Sequence, residues 1–239
     1  MRNNTLVVIP TYEERENIGR MIDEIFIHAP DVDLLVVDDD SPDRTWELVE
    51  SRAADDPRIH LIRRMDQRGL GTAYVAGFTF ALKGGYTAIV GMDADFSHDP
   101  REIPKMVEAT GRFDMVQGSR YIGGVRVLDW PLRRLILSTW ANLYARLVTG
   151  LPLKDITSGY RCYRRKVLES IDLTAIHSNG YVFLIEMSFL AWRKGFSLGE
   201  VPIIFQERRS GQSKISKSII WESIWVVFKL RVLKLLGRV

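Results

Sequence analysis

Cysteine is almost missing from this chain. Cys162 stands alone among 239 residues, which excludes an internal disulfide and fits a reducing compartment. The plain expectation for it is a small core residue. There are four histidines, and no His/Cys cluster has the spacing of a zinc site. No G-x-x-x-x-G-K-[ST] phosphate loop and no G-x-S-x-G nucleophile elbow occurs. Internal repeats and low-complexity stretches are absent as well. Before Pro10 the chain offers Arg2, a polar Asn3-Asn4-Thr5 and four apolar residues. That is too short for a signal-peptide core, so no leader is expected.

The composition is that of an ordinary globular protein: 46% hydrophobic, 26% charged, formal net charge +3. The length suits one α/β domain, or one domain plus a short appendage. Charge is unevenly spread. Residues 208–239 hold eight Lys/Arg and one Glu, whereas the rest is mildly acidic. A basic, apolar tail points to an anionic surface as partner. It lacks base-stacking aromatics interleaved with Gly or Ser, so a membrane ranks above nucleic acid.

Strand and helix signals alternate over the first two-thirds. Apolar runs at 6–9, 34–37, 59–62, 88–92 and 115–118 read as strands. Stretches with helical spacing at 17–26, 45–54 and 72–82 separate them. Continuous rather than alternating apolar strands indicate a mostly parallel sheet covered by helices on both faces. Later, 131–148 and 180–192 read as helices and 198–205 as a strand. Residues 216–236 form a long apolar helical stretch. It is about long enough to span a bilayer, but Glu222, Lys229, Arg231 and Lys234 would each cost about 2.5–3.5 kcal/mol near the bilayer centre. It is therefore expected to lie in the interface, the alternative being packing on protein.

Polar clusters stand where the strands end: Thr11-Tyr12-Glu13-Glu14, Asp38-Asp39, Asp93-Ala94-Asp95 and Ser119-Arg120-Tyr121. In a parallel sheet all four share one rim, where ligands bind in open α/β folds. Three Asp-x-Asp pairs occur, and position singles out Asp93 and Asp95. Paired carboxylates at a strand's end suit a hard divalent cation that arrives with substrate phosphates. Gly69-Leu70-Gly71 precedes a helix without the third Gly of a dinucleotide fingerprint. It reads equally as a phosphate-holding loop or as a loop needing unusual dihedrals.

Taken together, several segments resemble glycosyltransferase family 2, and more closely the dolichol-phosphate or polyprenol-phosphate mannose synthases. They are Val8-Ile9-Pro10-Thr11-Tyr12-Glu13-Glu14, Val37-Asp38-Asp39-Asp40-Ser41-Pro42-Asp43, Gly69-Leu70-Gly71-Thr72, Met92-Asp93-Ala94-Asp95-Phe96-Ser97-His98 and Gly118-Ser119-Arg120-Tyr121. The likeness continues through Trp130-Pro131-Leu132-Arg133-Arg134, Thr157-Ser158-Gly159-Tyr160-Arg161, Gly180-Tyr181-Val182-Phe183 and Glu200-Val201-Pro202-Ile203. It implies a GT-A fold over residues 1–214, with an interfacial acceptor helix at 131–148 and a membrane-associated amphipathic helix at 215–239. It also implies a GDP-mannose donor held by Pro10, Tyr12, Glu14, Val36, Asp38, Met92, Asp93, Ala94, Asp95, Arg120, Arg208 and Lys214. Mg²⁺ or Mn²⁺ would sit on Asp93 and Asp95, and the acceptor phosphate on Arg134 and Ser138, which share one helix face. Asp95 and Arg120 are the residues expected to act on the reacting groups. Two departures, Asp40 and Arg44, bear on the shape of the loop after the second strand.

The expected reaction is inverting transfer of mannose to polyprenyl phosphate at the cytoplasmic face of a membrane, by a peripheral enzyme, with or without a separate membrane subunit as partner. UDP-glucose or another nucleotide sugar is the rival donor. A non-catalytic lipid-binding subunit is the rival of another class. No nucleic-acid partner is expected.

Overall fold

The apolar runs become strands whose side chains divide between two covered faces. The computed structural model describes residues 4–128, 130–176, 178, 180–206, 225–228 and 231–232. The strands are β1 (Thr5–Thr11), β2 (Asp33–Asp38), β3 (Ile59–Arg63), β4 (Ala88–Gly91), β5 (Met115–Ser119), β6 (Val127–Leu128), β7 (Arg161–Arg164), β8 (Leu198–Pro202) and β9 (Phe205–Gln206). The helices are α1 (Arg15–His28), α2 (Thr45–Asp55), α3 (Leu70–Lys83), α4 (Ile103–Ala109), α5 (Leu132–Thr149), α6 (Arg165–Ser170) and α7 (Tyr181–Arg193).

Seven strands form one sheet in the order β3-β2-β1-β4-β7-β5-β8. β7 is antiparallel to both its neighbours, β4 and β5, and the other strands run the same way. Val7, Ile9, Leu34, Val36, Val90 and Cys162 enter one core with α1 and α4. Leu6, Val8, Leu35, Val37, Ile89 and Tyr163 enter the other with α3 and α7. Alternate residues thus fill opposite cores, which is why these strands read as unbroken apolar runs. Cys162 is fully buried, and burial raises its thiol pKa to about 12.

The structure departs from expectation at two places. β7 has only two non-arginine residues in four, too few for a hydrophobic signal. Its place is decided by pairing, Gly91 with Arg161 on one side and Gln117 with Arg161 on the other. The strand expected over 198–205 is two strands. β8 pairs with β5, and β9 leaves to pair with β6 in a separate ribbon.

α5 is built unlike the other helices. Its buried residues are Asn142, Ala145 and Thr149, small or polar. Its large apolar residues Leu132, Ile136, Trp140, Leu143 and Leu147 are exposed, from 43% at Leu143 to 73% at Leu147. The helix is amphipathic as expected, but its apolar stripe faces outward, the reverse of an ordinary surface helix. Its C-terminal half packs through Ala145 in a third cluster with Ile156, Phe189 and Val227. Residues 225–228 are helical, with Val227 buried there while Trp225 and Phe228 are exposed. That segment packs one face on the domain and presents the other outward. No helix among the described residues is long and apolar enough to cross a membrane.

Candidate active site

The ends of β1, β2, β4 and β5 lie on one rim, because the strands that carry them run in the same direction. The four polar clusters therefore belong to one edge of the sheet.

At the β1–β2 end, Thr11 pairs in register with Asp38. The buried Asp38 carboxylate accepts from Thr11 Oγ1 at 2.8 Å, Ser41 Oγ at 2.7 Å and Ser41 N–H at 2.8 Å. These bonds fold the chain after β2 back onto the sheet. Glu13 N–H reaches Ser41 Oγ at 3.0 Å, and Glu14 N–H reaches Thr45 Oγ1 at 3.1 Å. Burial alone would raise the Asp43 pKa, but bonds from Thr45 and Arg15 hold it below the usual range. Asp40 and Arg44 both adopt left-handed backbone, φ 53° and 63°. Asp40 pairs with Arg63 at 2.6 Å, and the Arg63 guanidinium lies 3.5 Å from the Trp46 ring centroid.

Asp39 holds the loop before α3. It pairs with the buried Arg64 and accepts from Gly69 N–H at 2.8 Å. Gly69 stands at φ 132°, and a Cβ on Gly71 would meet Ser178 O at 2.5 Å. Dihedral need and close packing account for both glycines. On this side Arg68 lies over the Tyr12 ring, 5.1 Å from its centroid.

At the β4 end, side chains alternate. Met92 and Ala94 are buried in the core, and Val36 is fully buried there too. Any ligand contact from these three comes through backbone atoms at the rim. Asp93 and Asp95, on either side of Ala94, differ in exposure. The Asp93 carboxylate is 31% exposed, whereas Asp95 is nearly buried and accepts from Ser97 N–H at 3.0 Å. Gly159 backs onto this turn, where a Cβ would stand 3.6 Å from an Asp93 oxygen and 3.1 Å from His98.

His98 organises the turn. Asp93 N–H donates to its Nδ1 at 2.9 Å, so the ring's own proton belongs on Nε2. Burial lowers its pKa, against the opposing pull of Asp93 and Asp95. The ring stacks on Tyr160 at 4.9 Å and meets the Phe205 edge at 5.8 Å.

At the β5 end, Arg120 is nearly buried. Its Nε and Nη2 donate to Asp155 at 2.7 and 2.6 Å, and its backbone N–H to the same carboxylate at 2.9 Å. Nη2 also reaches Thr157 Oγ1 at 2.8 Å. Asp155 neutralises this guanidinium, so Arg120 orders the rim as much as it charges it. Glu200 on β8 fixes the Asp155 loop by accepting from Asp155 N–H at 3.0 Å.

The next residue joins the rim to α5. Tyr121 Oη donates to Ser138 Oγ at 2.8 Å. Arg134, one turn earlier on α5, lies 4.2 Å from the Trp130 ring centroid, and Arg120 lies 5.3 Å from the same centroid. Asn142 Nδ2 donates to Thr157 Oγ1 at 3.1 Å, and Thr157 N–H returns to Asn142 Oδ1 at 3.2 Å. The acceptor residues expected on α5 thus abut the donor residues expected on the strand ends. Arg208 and Lys214 lie outside the described residues.

Sequence reasoning missed Asp155, Thr157, Asn142 and the part played by His98. Asp155 and Thr157 lie in a loop without periodicity, and Asn142 sits in a helix noticed for its apolar residues. The Arg161 guanidinium was missed too. Fully buried in the middle of the sheet, it donates to Ile156 O at 2.8 Å and Ser158 O at 2.9 Å, and also to Leu184 O. It ties the 155–159 loop to α7. A cleft near the opposite end of the strands, lined by Thr5, His28, Val107 and Arg164 among others, shares nothing with this rim.

The donor set at Asp93 and Asp95 fits a hard cation that keeps most of its coordination for substrate and water. Among the described residues no group of three or more His, Cys, Asp or Glu is placed to hold a metal by itself.

A mostly parallel sheet with four polar strand ends and an Asp-x-Asp turn on one rim defines a class, and comparison with known proteins agrees. The signature of glycosyl transferase family 2 matches residues 6–172. The chain belongs to that family. It is 48% identical over 225 residues to the polyprenol monophosphomannose synthase of Mycolicibacterium smegmatis, covering 93% of this chain and 85% of that protein. It is 45% identical to the undecaprenyl-phosphate mannosyltransferase of Micrococcus luteus, covering 92% and 90%. A dolichol-phosphate mannosyltransferase of Pyrococcus furiosus is 37% identical, and the chain spans 62% of its length. Among solved structures, glucosyl-3-phosphoglycerate synthase from Mycobacterium tuberculosis with Mn²⁺, uridine diphosphate and phosphoglyceric acid superposes with TM-score 0.67 at 17% identity. That match covers 96% of this chain and 77% of that one. The same enzyme with Mg²⁺ and uridine diphosphate gives 0.65 at 18%, covering 96% and 78%. At these identities the likeness is one of fold, the GT-A arrangement.

Proposed function

We propose that this enzyme transfers mannose from GDP-mannose to polyprenyl phosphate, with inversion at the anomeric carbon, on the cytoplasmic face of a membrane. Mannose and polyprenyl phosphate are supported by relatives at 45–48% identity that bear those names and match nearly the whole chain. The observation that carries the site assignment is the Tyr121–Ser138 hydrogen bond. It joins the acceptor helix to the strand-end rim that holds Asp93 and Asp95.

In this reading a phosphate oxygen of the lipid attacks the anomeric carbon, and the bond from that carbon to the diphosphate breaks, releasing GDP. A phosphate monoester has a second pKa near ~6, so the nucleophile is largely ionised at neutral pH and needs no strong general base. The barrier is chiefly electrostatic, because two anions must meet. Asp93 and Asp95 would hold Mg²⁺ or Mn²⁺, whose contribution when bound is neutralisation of the departing diphosphate. Arg134 and Ser138 hold the acceptor phosphate, and Arg208 and Lys214 close on the donor. Tyr12 and Glu14 face the nucleoside, with the backbone of Pro10, Val36, Met92 and Ala94 beside it; the fully buried Asp38 carboxylate acts behind them by holding Thr11 and Ser41 in place.

The outward apolar stripe of α5, with Trp225 and Phe228, supports a membrane surface as the partner. A stripe of this kind is costly in water, and it stands on the helix assigned to a lipid's headgroup.

The test is a donor panel with polyprenyl phosphate in detergent: GDP-mannose, UDP-glucose and UDP-mannose, with product anomer determined by NMR. Turnover with GDP-mannose and a β-linked product are expected. Preference for UDP-glucose would replace the donor assignment. No transfer from any donor would favour a non-catalytic lipid-binding role.

A further inference from the structure

We propose that Trp130 contacts substrate directly, its indole Nε1–H donating to a phosphate oxygen on the acceptor side of the rim. This rests on the functional reading above.

Trp130 stands two residues before α5, next to Pro131, the helix's N-cap. One ring gathers three neighbours. The Arg134 guanidinium carbon is 4.2 Å from its centroid, that of Arg120 is 5.3 Å away, and the Phe205 ring crosses it at 79° and 5.4 Å. Those contacts need an aromatic face, which Phe supplies equally well. They make no use of the one feature peculiar to Trp, its N–H donor. That Nε1 is buried and has no hydrogen-bond partner among the described residues. Buried donors without acceptors are rare in native proteins because they forgo hydration for nothing. An arriving acceptor atom resolves the anomaly.

The neighbourhood specifies an anion. Guanidinium and indole N–H groups donate and do not accept. The first turn of α5 contains no acidic residue but includes Arg133 and Arg134, so positive charge is stacked on the positive end of the helix dipole. The N-terminal end of the helix dipole adds to that positive field. Asp155 answers Arg120 and takes no hydrogen bond from the indole N–H. A phosphate oxygen is the anion that the reaction brings to this place. It belongs either to the acceptor monophosphate or to the donor diphosphate.

The experiment uses the full chain and two substitutions. Trp130→Phe keeps the ring and removes the N–H, whereas Trp130→Ala removes both. Calorimetric titrations with a short-chain prenyl phosphate and with GDP plus Mn²⁺ are compared with wild type, and thermal melts report folding. A hydrogen bond to a charged acceptor predicts roughly a 10- to 100-fold loss of affinity in Trp130→Phe. The loss is expected for the prenyl phosphate alone, with GDP binding and melting temperature retained, and with KM for the lipid rising more than kcat falls. Loss confined to GDP would uphold the contact and move it to the donor diphosphate. Trp130→Phe binding both ligands like wild type while Trp130→Ala is impaired would overturn the proposal, leaving the ring as a stacking surface. Equal losses for both ligands with a lowered melting temperature would overturn it also. If wild type transfers nothing to polyprenyl phosphate, the functional reading falls. A selective binding loss in Trp130→Phe would still stand as a phosphate contact.

Discussion

The two halves of the rim are built on opposite plans. On the strand-end half, carboxylates are buried and already satisfied by the chain: Asp38 by Thr11 and Ser41, Asp39 by Arg64 and Gly69, Asp155 by Arg120. On the α5 half, small and polar residues face inward and large apolar ones face out. The first half is preorganised for a small, highly charged ligand, whose binding would be wasted if loops had to be ordered first. In the second, nothing among the described residues covers the apolar side chains. A sugar nucleotide in solution and a phosphate at the tip of a lipid are the ligands such a division suits.

Four measurements would break or sharpen that contrast. The largest effect belongs to the Asp-x-Asp turn. Asp93→Asn and Asp95→Asn should each lower transfer by at least about a hundredfold, as loss of charge stabilisation at a departing group does. Both should melt close to wild type, since Asp93 is part-exposed and Asp95 keeps a hydrogen-bonding oxygen as Asn. Full activity of either variant, or turnover unaffected by chelator, would remove the metal assignment.

Next is the buried pair behind the rim. Asp155→Ala leaves the nearly buried Arg120 guanidinium without its carboxylate. A cost of about 3–5 kcal/mol is expected in urea denaturation. A loss below about 1 kcal/mol would mean that Arg120 relaxes into solvent, and that the donor half is less rigid than its hydrogen bonds suggest.

The α5 stripe should respond in the opposite sense. Trp140→Ser with Leu147→Ser removes two of its most exposed apolar side chains. Folding stability should change little, within about ±0.5 kcal/mol per site. Sedimentation with anionic vesicles should fall several-fold, and turnover on a long-chain lipid should fall more than on a short soluble analogue. If vesicle binding is unchanged, the stripe packs on protein instead.

The smallest effect is a pH slope. His98 is buried with its pKa lowered by desolvation, so the unfolded chain takes up a proton at a higher pH than the folded one. Stability is fully present above the unfolded value, roughly 6.5, and declines as pH falls from there toward the folded value. His98→Gln retains an acceptor for Asp93 N–H and should flatten that part of the pH–stability curve. An unchanged slope would assign it to other groups.

Much of this was legible before any coordinates. Five strands read from apolar runs lie where expected, because a strand buried on both faces has nowhere to put polar residues. The Asp-x-Asp turn could be chosen over Asp31/Asp33 and Asp38/Asp40 because strand polarity brings four sequence-distant ends to one edge. β7 escaped notice because backbone pairing, not hydrophobicity, places it. Periodicity alone reports that α5 has two faces and not which is inside; the expectation of an interfacial helix there came from the family resemblance.

By itself, then, the sequence determined the alternation of strands and helices and the polar rim, since these follow from local periodicity and strand direction, and its motifs carried the resemblance to the family. Tertiary structure alone decided that Asp155 neutralises Arg120, that His98 takes the Asp93 N–H, that Asn142 ties α5 to Thr157 and that the apolar stripe faces outward. Each of these joins groups that nothing in the local sequence pairs. Such contacts exist only after the cores have closed and fixed which surfaces remain.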